Sequence, residues 1–230
     1  MLRRKTLLGT VTAVVMLFAA TVALAQTFIG TPGPDTINGT AQADVINSLG
    51  GDDKVNGLGG ADRIDGGSGD DTINGDGSCA PGTPNTGPYA CIPGNSGRDR
   101  ISGGSGQDTI NGNGGRDRIT GQGGDDRLRG NSSNDRISGG SGTDVLSGGT
   151  GSDFLTGSSG DDRLRGQSGN DTITGGSGQD RVEAGSGRDT IRVRDGQRDR
   201  VNCGSGRDRV TADRRDRVAR NCERVSRRRR

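Results

Sequence analysis

Aspartate recurs in this chain at a fixed spacing of nine residues. One run is Asp35, Asp44, Asp53, Asp62 and Asp71. A second is Asp99, Asp108, Asp117, Asp126, Asp135, Asp144, Asp153, Asp162, Asp171, Asp180 and Asp189. Periodic carboxylates offer hard oxygen ligands for a divalent cation, or pairs for general acid and base work. The chain has no histidine, which removes Ser-His-Asp, Cys-His and H-E-x-x-H chemistry. The regularity of the spacing favours ligation, because it assigns nearly every Asp the same environment.

The residues around each Asp say what must position it. Two residues later stands a branched aliphatic, from Ile37 to Ile191, and glycine usually stands two and five residues earlier. Gly103-Gly104-Ser105-Gly106-Gln107-Asp108-Thr109-Ile110-Asn111 is one full unit. Nine residues are too few for a helical repeat but suit a six-residue turn and a three-residue strand. The aliphatic then points inward and its neighbours outward, as period-two alternation requires. Two turns and two strands close one coil, and coils stack about 4.8 Å apart. Every second Asp falls into a row along one edge. Like charges that close repel by roughly 1 kcal/mol per neighbour even in high dielectric, and a cation between successive turns reverses the sign.

Calcium takes 6–8 oxygens from carboxylates and backbone carbonyls, whereas magnesium demands octahedral geometry and keeps its waters. Multiple calcium ions are therefore expected. The candidate ligands are the sixteen aspartates and glycines of the best-formed turns: Gly103, Gly104, Gly106, Gly139, Gly140, Gly142, Gly148, Gly149, Gly151, Gly175, Gly176 and Gly178. Gln42 and Ser133 replace the glycine before the Asp, so sites built on those turns are expected to be weaker.

The unit G-G-x-G-x-D-x-U-x resembles the RTX, or haemolysin-type, calcium-binding nonapeptide over about 30–192, and more loosely to about 218. The resemblance implies an all-β fold, a parallel β-roll (a right-handed β-solenoid with two repeats per coil). It also implies ions aligned along both edges and a chain largely unfolded without calcium. Members exported by the type I route carry a C-terminal signal and a large functional domain. Neither is present here, so no toxin, protease or lipase activity is carried over, and the expectation is a non-enzyme.

Composition agrees that an ordinary core is not what holds the chain. Of 230 residues 46 are glycine, aromatics are 2% and hydrophobics 26%, too little apolar surface to offset backbone entropy. The net charge of +2 conceals an asymmetry. Residues 188–230 hold sixteen Arg against seven acids, and 26–187 hold 12 basic against 22 acidic residues. An acidic body suits cations and a basic tail suits anions.

The organisation read from the chain has six parts. Residues 1–25 form an export signal, with basic Arg3-Arg4-Lys5, an apolar stretch and cleavage after Ala23-Leu24-Ala25. An uncleaved anchor is the alternative, and Arg3-Arg4 leaves a twin-arginine route open. With the signal removed, an extracellular protein without a membrane span is expected. Repeats follow at 26–74, an insert at 75–93, repeats at 94–192, a degenerate cap at 193–226 and a basic tail at 227–230. Four cysteines in an exported chain suggest two disulfides, and sequence proximity favours Cys79–Cys91 and Cys203–Cys222 over the other pairings. A zinc site fits poorly without histidine or a C-x-x-C pair. Arg63, Arg100, Arg118, Arg127, Arg136, Arg163 and Arg181 open strands directly after an Asp. They either neutralise the aspartate rows or form a ladder for an anionic cell-surface polymer. A nucleic-acid partner is not expected, because stacking aromatics are missing. Oligomeric state is not legible.

Overall fold

The computed structural model describes residues 24–76 and 97–227, all strand, turn and bend. All but the last two residues of the expected export signal, the Cys79–Cys91 pairing and all but the first residue of the basic tail lie outside the described residues. Twenty-one strands run from Thr27–Ile29 to Arg224–Arg227. Alternate strands enter alternate sheets, one of eleven strands and one of ten, and each strand pairs in parallel with the strand two later in sequence. This is the stacked two-sheet solenoid expected from the repeat.

Register follows from the period. Leu128 pairs with Leu146 and Ile137 with Leu155, eighteen residues apart. A strand such as Arg136–Ser141 alternates exposed Arg, buried Ile, half-buried Ser and buried Gly. Each sheet thus points one aliphatic column into the interior. Ile110, Ile119, Leu128, Ile137, Leu146 and Leu155 are all at most 2% exposed. A one-residue slip would turn that whole column to water.

Two irregularities are absorbed in turns. Arg63–Ser68 pairs with Arg100–Ser105 in unbroken register although the insert separates them. Beyond Val182 the spacing changes: Val182 pairs with Val201, Val201 with Val218 and Val210 with Val225. The inward column survives through Val210 because the extra and missing residues fall between strands, and Val225 at the open end is 39% exposed. Cys203 and Cys222 form the disulfide expected from proximity, with Cα atoms 5.3 Å apart.

Candidate metal centre

Each repeat aspartate sits at the end of a turn, immediately before its strand, and two backbone contacts fix it there. Its carbonyl accepts the N–H of the residue opening the strand one coil on, as Arg118 donates to Asp99 O at 2.9 Å. Its own N–H donates to Oδ1 of the Asp one coil on, as Asp99 donates to Asp117 Oδ1 at 2.9 Å. The same bond recurs along both edges, for example from Asp108 to Asp126 and from Asp153 to Asp171. The side chain is therefore drawn inward by the backbone of its neighbour. One row ends on Glu223, which accepts from Asp208, and the other on Asp216, which accepts from Asp199.

That leaves the second oxygen. Oδ2 is buried without a hydrogen-bond partner in Asp53, Asp62, Asp71, Asp76, Asp99, Asp108, Asp117, Asp126, Asp135, Asp144, Asp153, Asp162, Asp171, Asp180, Asp189, Asp199 and Asp208. An unpaired buried carboxylate oxygen costs several kcal/mol by general experience, and here the arrangement repeats along the whole molecule. The glycine five residues before each Asp explains where the oxygen lies. A Cβ at Gly148 would collide with Asp153 Oδ2 and approach Gly166 O to 2.9 Å; at Gly139 it would meet Asp144 Oδ2 and Gly157 O. A carboxylate oxygen and a carbonyl oxygen converge there with no donor between them. Two acceptors facing each other are what a hard cation satisfies.

Electrostatics agree. Burial is the leading cause that raises these carboxyls, opposed by the backbone N–H each accepts and reinforced by neighbouring carboxylates. Asp99 and Asp135 are pushed up to about 8. Asp62, Asp117, Asp162 and Asp171 rise to about 7. Asp71, Asp108 and Asp180 rise to about 6. A bound divalent ion would favour the ionised form of such groups. Among the described residues no three Asp, Glu or Cys side chains converge on one point, so a site here is one or two carboxylates completed by carbonyls.

Of the sixteen aspartates singled out from sequence, fourteen have the unpaired oxygen. Asp35 and Asp44 do not: Oδ2 of Asp35 accepts the N–H and hydroxyl of Thr31, and Oδ2 of Asp44 those of Thr40. The glycines divide into two roles. Gly104, Gly106, Gly149 and Gly151 adopt φ of 115°, 127°, 116° and 135°, which other residues resist. Gly103, Gly139, Gly148 and Gly175 are glycine for space, since the carboxylate occupies the place of a side chain. Ser133 holds a φ of 85°, so the turn survives the loss of its glycine.

Sequence reasoning passed over Asp76, Asp199 and Asp208 as ligands. The last two show themselves by a strand-opening Arg and an inward Val directly after them. It also passed over Asp52, Asp70, Asp125 and Asp161, visible as Asp-Asp pairs. Each lies outside the row and all four accept an N–H from the adjoining coil, as Asp125 does from Thr143 at 2.7 Å. They add negative charge to one edge only.

The sequence profile described as the RTX calcium-binding nonapeptide repeat matches residues 29–64, 49–78, 93–128, 120–155 and 156–191. No curated protein sequence is significantly similar to the chain.

Proposed function

Since the chain belongs to the family of RTX calcium-binding nonapeptide repeat proteins, we propose that it is a secreted, non-catalytic structural protein that folds as calcium fills its turns. The observation that carries this reading is the row of buried, unpaired Oδ2 atoms along each edge. The residues that would hold the ions are Asp53 to Asp189 of the repeat, with Asp199 and Asp208, together with carbonyls of adjoining turns. Calcium would supply positive charge between carboxylates that otherwise repel. If the reading holds, ion binding is folding free energy. A chain that stays unfolded in the cell and orders in a calcium-rich exterior then follows, and the N-terminal signal fits that route. Equilibrium dialysis tests the binding: calcium should be retained at many ions per chain, roughly one per unpaired carboxylate, with magnesium retained far less. Retention of only one or two calcium ions would overturn it.

A second reading, an anionic-polymer-binding module, rests on the arginines. Arg63, Arg100, Arg118 and Arg136 are register neighbours on one sheet. Arg163, Arg181, Arg200 and Arg217 are neighbours on the other. Among these, Arg181 pairs with Glu183 at 2.8 Å and Arg136 lies 5.3 Å from the Phe154 ring centre. Exposed cations about 4.8 Å apart suit a polymer of regularly spaced anions, such as an acidic cell-wall polysaccharide. Co-sedimentation with purified cell wall should weaken in an Arg100→Gln, Arg118→Gln double variant. Unchanged sedimentation removes this reading and leaves the first.

A further inference from the structure

Asp76 does not belong to the repeat. It occupies the turn position held by Gly104, Gly140 and Gly149 elsewhere, at the end of the strand Thr72–Asp76, where the chain leaves for the insert. Gly97, where the described chain resumes, donates its N–H to Asp76 Oδ1 at 3.2 Å. In ordinary turns the corresponding N–H goes to a carbonyl one coil on, as Gly106 donates to Gly123 O and Gly124 to Ser141 O. A carboxylate has therefore replaced a backbone acceptor inside this turn. Asp76 is 5% exposed and its Oδ2 has no partner. Among the described residues every other buried acidic side chain stands at the Asp position of its turn. This turn consequently holds two buried carboxylates where every other described turn holds one. Its charge falls on one row, because Asp76 is the foremost charged neighbour raising Asp99 and the one raising Asp117.

We propose that Asp76, with Asp99 and the Gly112 carbonyl that lies beside Asp99 Oδ2, forms a divalent-cation site separate in kind from the repeat sites, which ties together the two roots of the insert. The site takes a hard cation, since its donors are all oxygen. It rests on the calcium reading of the repeats, but it adds a claim the repeat pattern does not contain. Two buried carboxylates share this turn, and an ion there joins Asp76 on the outgoing chain to Asp99 on the returning chain. A loop of any sequence could then be carried at this point without loosening the coil.

The test is substoichiometric gadolinium added to the calcium-loaded chain, followed by amide NMR. A trivalent ion displaces calcium first where buried carboxylates, poorly screened by water, are most concentrated. The amides of Gly97 and Gly114 should broaden before those of Gly142 and Gly151. In Asp76→Asn this priority should vanish while the other amides keep their positions and their own later broadening. Affinity at this turn should fall by more than the ~10–100-fold that loss of an outer-shell partner costs a metal site. Uniform broadening in the native chain, or an order unchanged in Asp76→Asn, would overturn the proposal and leave the repeat sites standing. Failure of every amide to respond to either ion would overturn the calcium reading itself, and this site with it.

Discussion

The coils around Gly148 and those from Ala184 to Cys222 share sheets, register and aspartate rows, yet their interiors are filled differently. In the body the second inward position of each strand is glycine, and the carboxylate oxygen of the following Asp lies in its side-chain space. Toward the C-terminus that position carries Ala184, Val193, Cys203 and Ala212, all fully buried. A disulfide joins Cys203 to Cys222, and Glu223 and Asp216 end the rows with hydrogen bonds to backbone. At the other end Thr31 and Thr40 occupy Oδ2 of Asp35 and Asp44. The outermost member of each row is held by protein groups, while the members between, Asp189, Asp199 and Asp208 included, leave Oδ2 to something else. Solenoids need capped ends, and here the row ends at Asp35, Asp44, Asp216 and Glu223 are completed without an ion.

The largest effect that could break this contrast is that of pH in chelator. The seventeen carboxyls with an unpaired oxygen are raised by burial, several to about 7 or 8. Their folded values exceed the unfolded ones, so the metal-free fold binds more protons than the unfolded chain between roughly pH 4 and 8. Stability is then fullest below about pH 4 and falls as pH rises through that window. Calcium should reverse the trend, since it needs the carboxylates ionised. Circular dichroism in chelator at pH 4 and pH 8 should show more β-structure at pH 4; equal signals would count against burial as the cause.

Substitution sharpens the comparison next. Gly148→Ala places a methyl on Asp153 Oδ2 and should cost about 3 kcal/mol or more by urea denaturation in calcium. Ala184→Gly, at the equivalent position of the cap, should cost only about 0.5–1 kcal/mol. Similar losses in the two variants would show that the interiors do not differ as described. Cys203→Ser should lower stability by about 3 kcal/mol, from a loop of nineteen residues, and hydrogen exchange should place the loosening in residues 200–227 rather than around Gly148. Thr40→Val is the smallest change, about 1 kcal/mol. Calcium should restore little of it, because the backbone N–H of residue 40 still occupies Oδ2 of Asp44.

Sequence spacing alone made the coil, the register and the inward aliphatic column legible. The turn count per coil follows from a period of nine, and parallel pairing follows from stacking identical coils. What spacing could not reveal is what fills the space beside each Asp. Gly103 and Gly104 look equivalent in sequence, but one avoids a clash and the other supplies positive φ. Asp35 and Asp44 look like every other ligand candidate until Thr31 and Thr40 are seen on their oxygens. Asp76 escaped notice because it replaces a glycine next to an insert, where the period breaks and periodic reasoning stops.

The central claim, that cations hold the middle of this molecule together, is tested most directly by far-ultraviolet circular dichroism during a calcium titration, with magnesium as control. A cooperative coil-to-β transition with calcium and none with magnesium is the expected result. A chain already fully β-folded in chelator at neutral pH would contradict it, leaving the disulfide, the side-chain-filled cap and the arginines as sufficient to hold the fold.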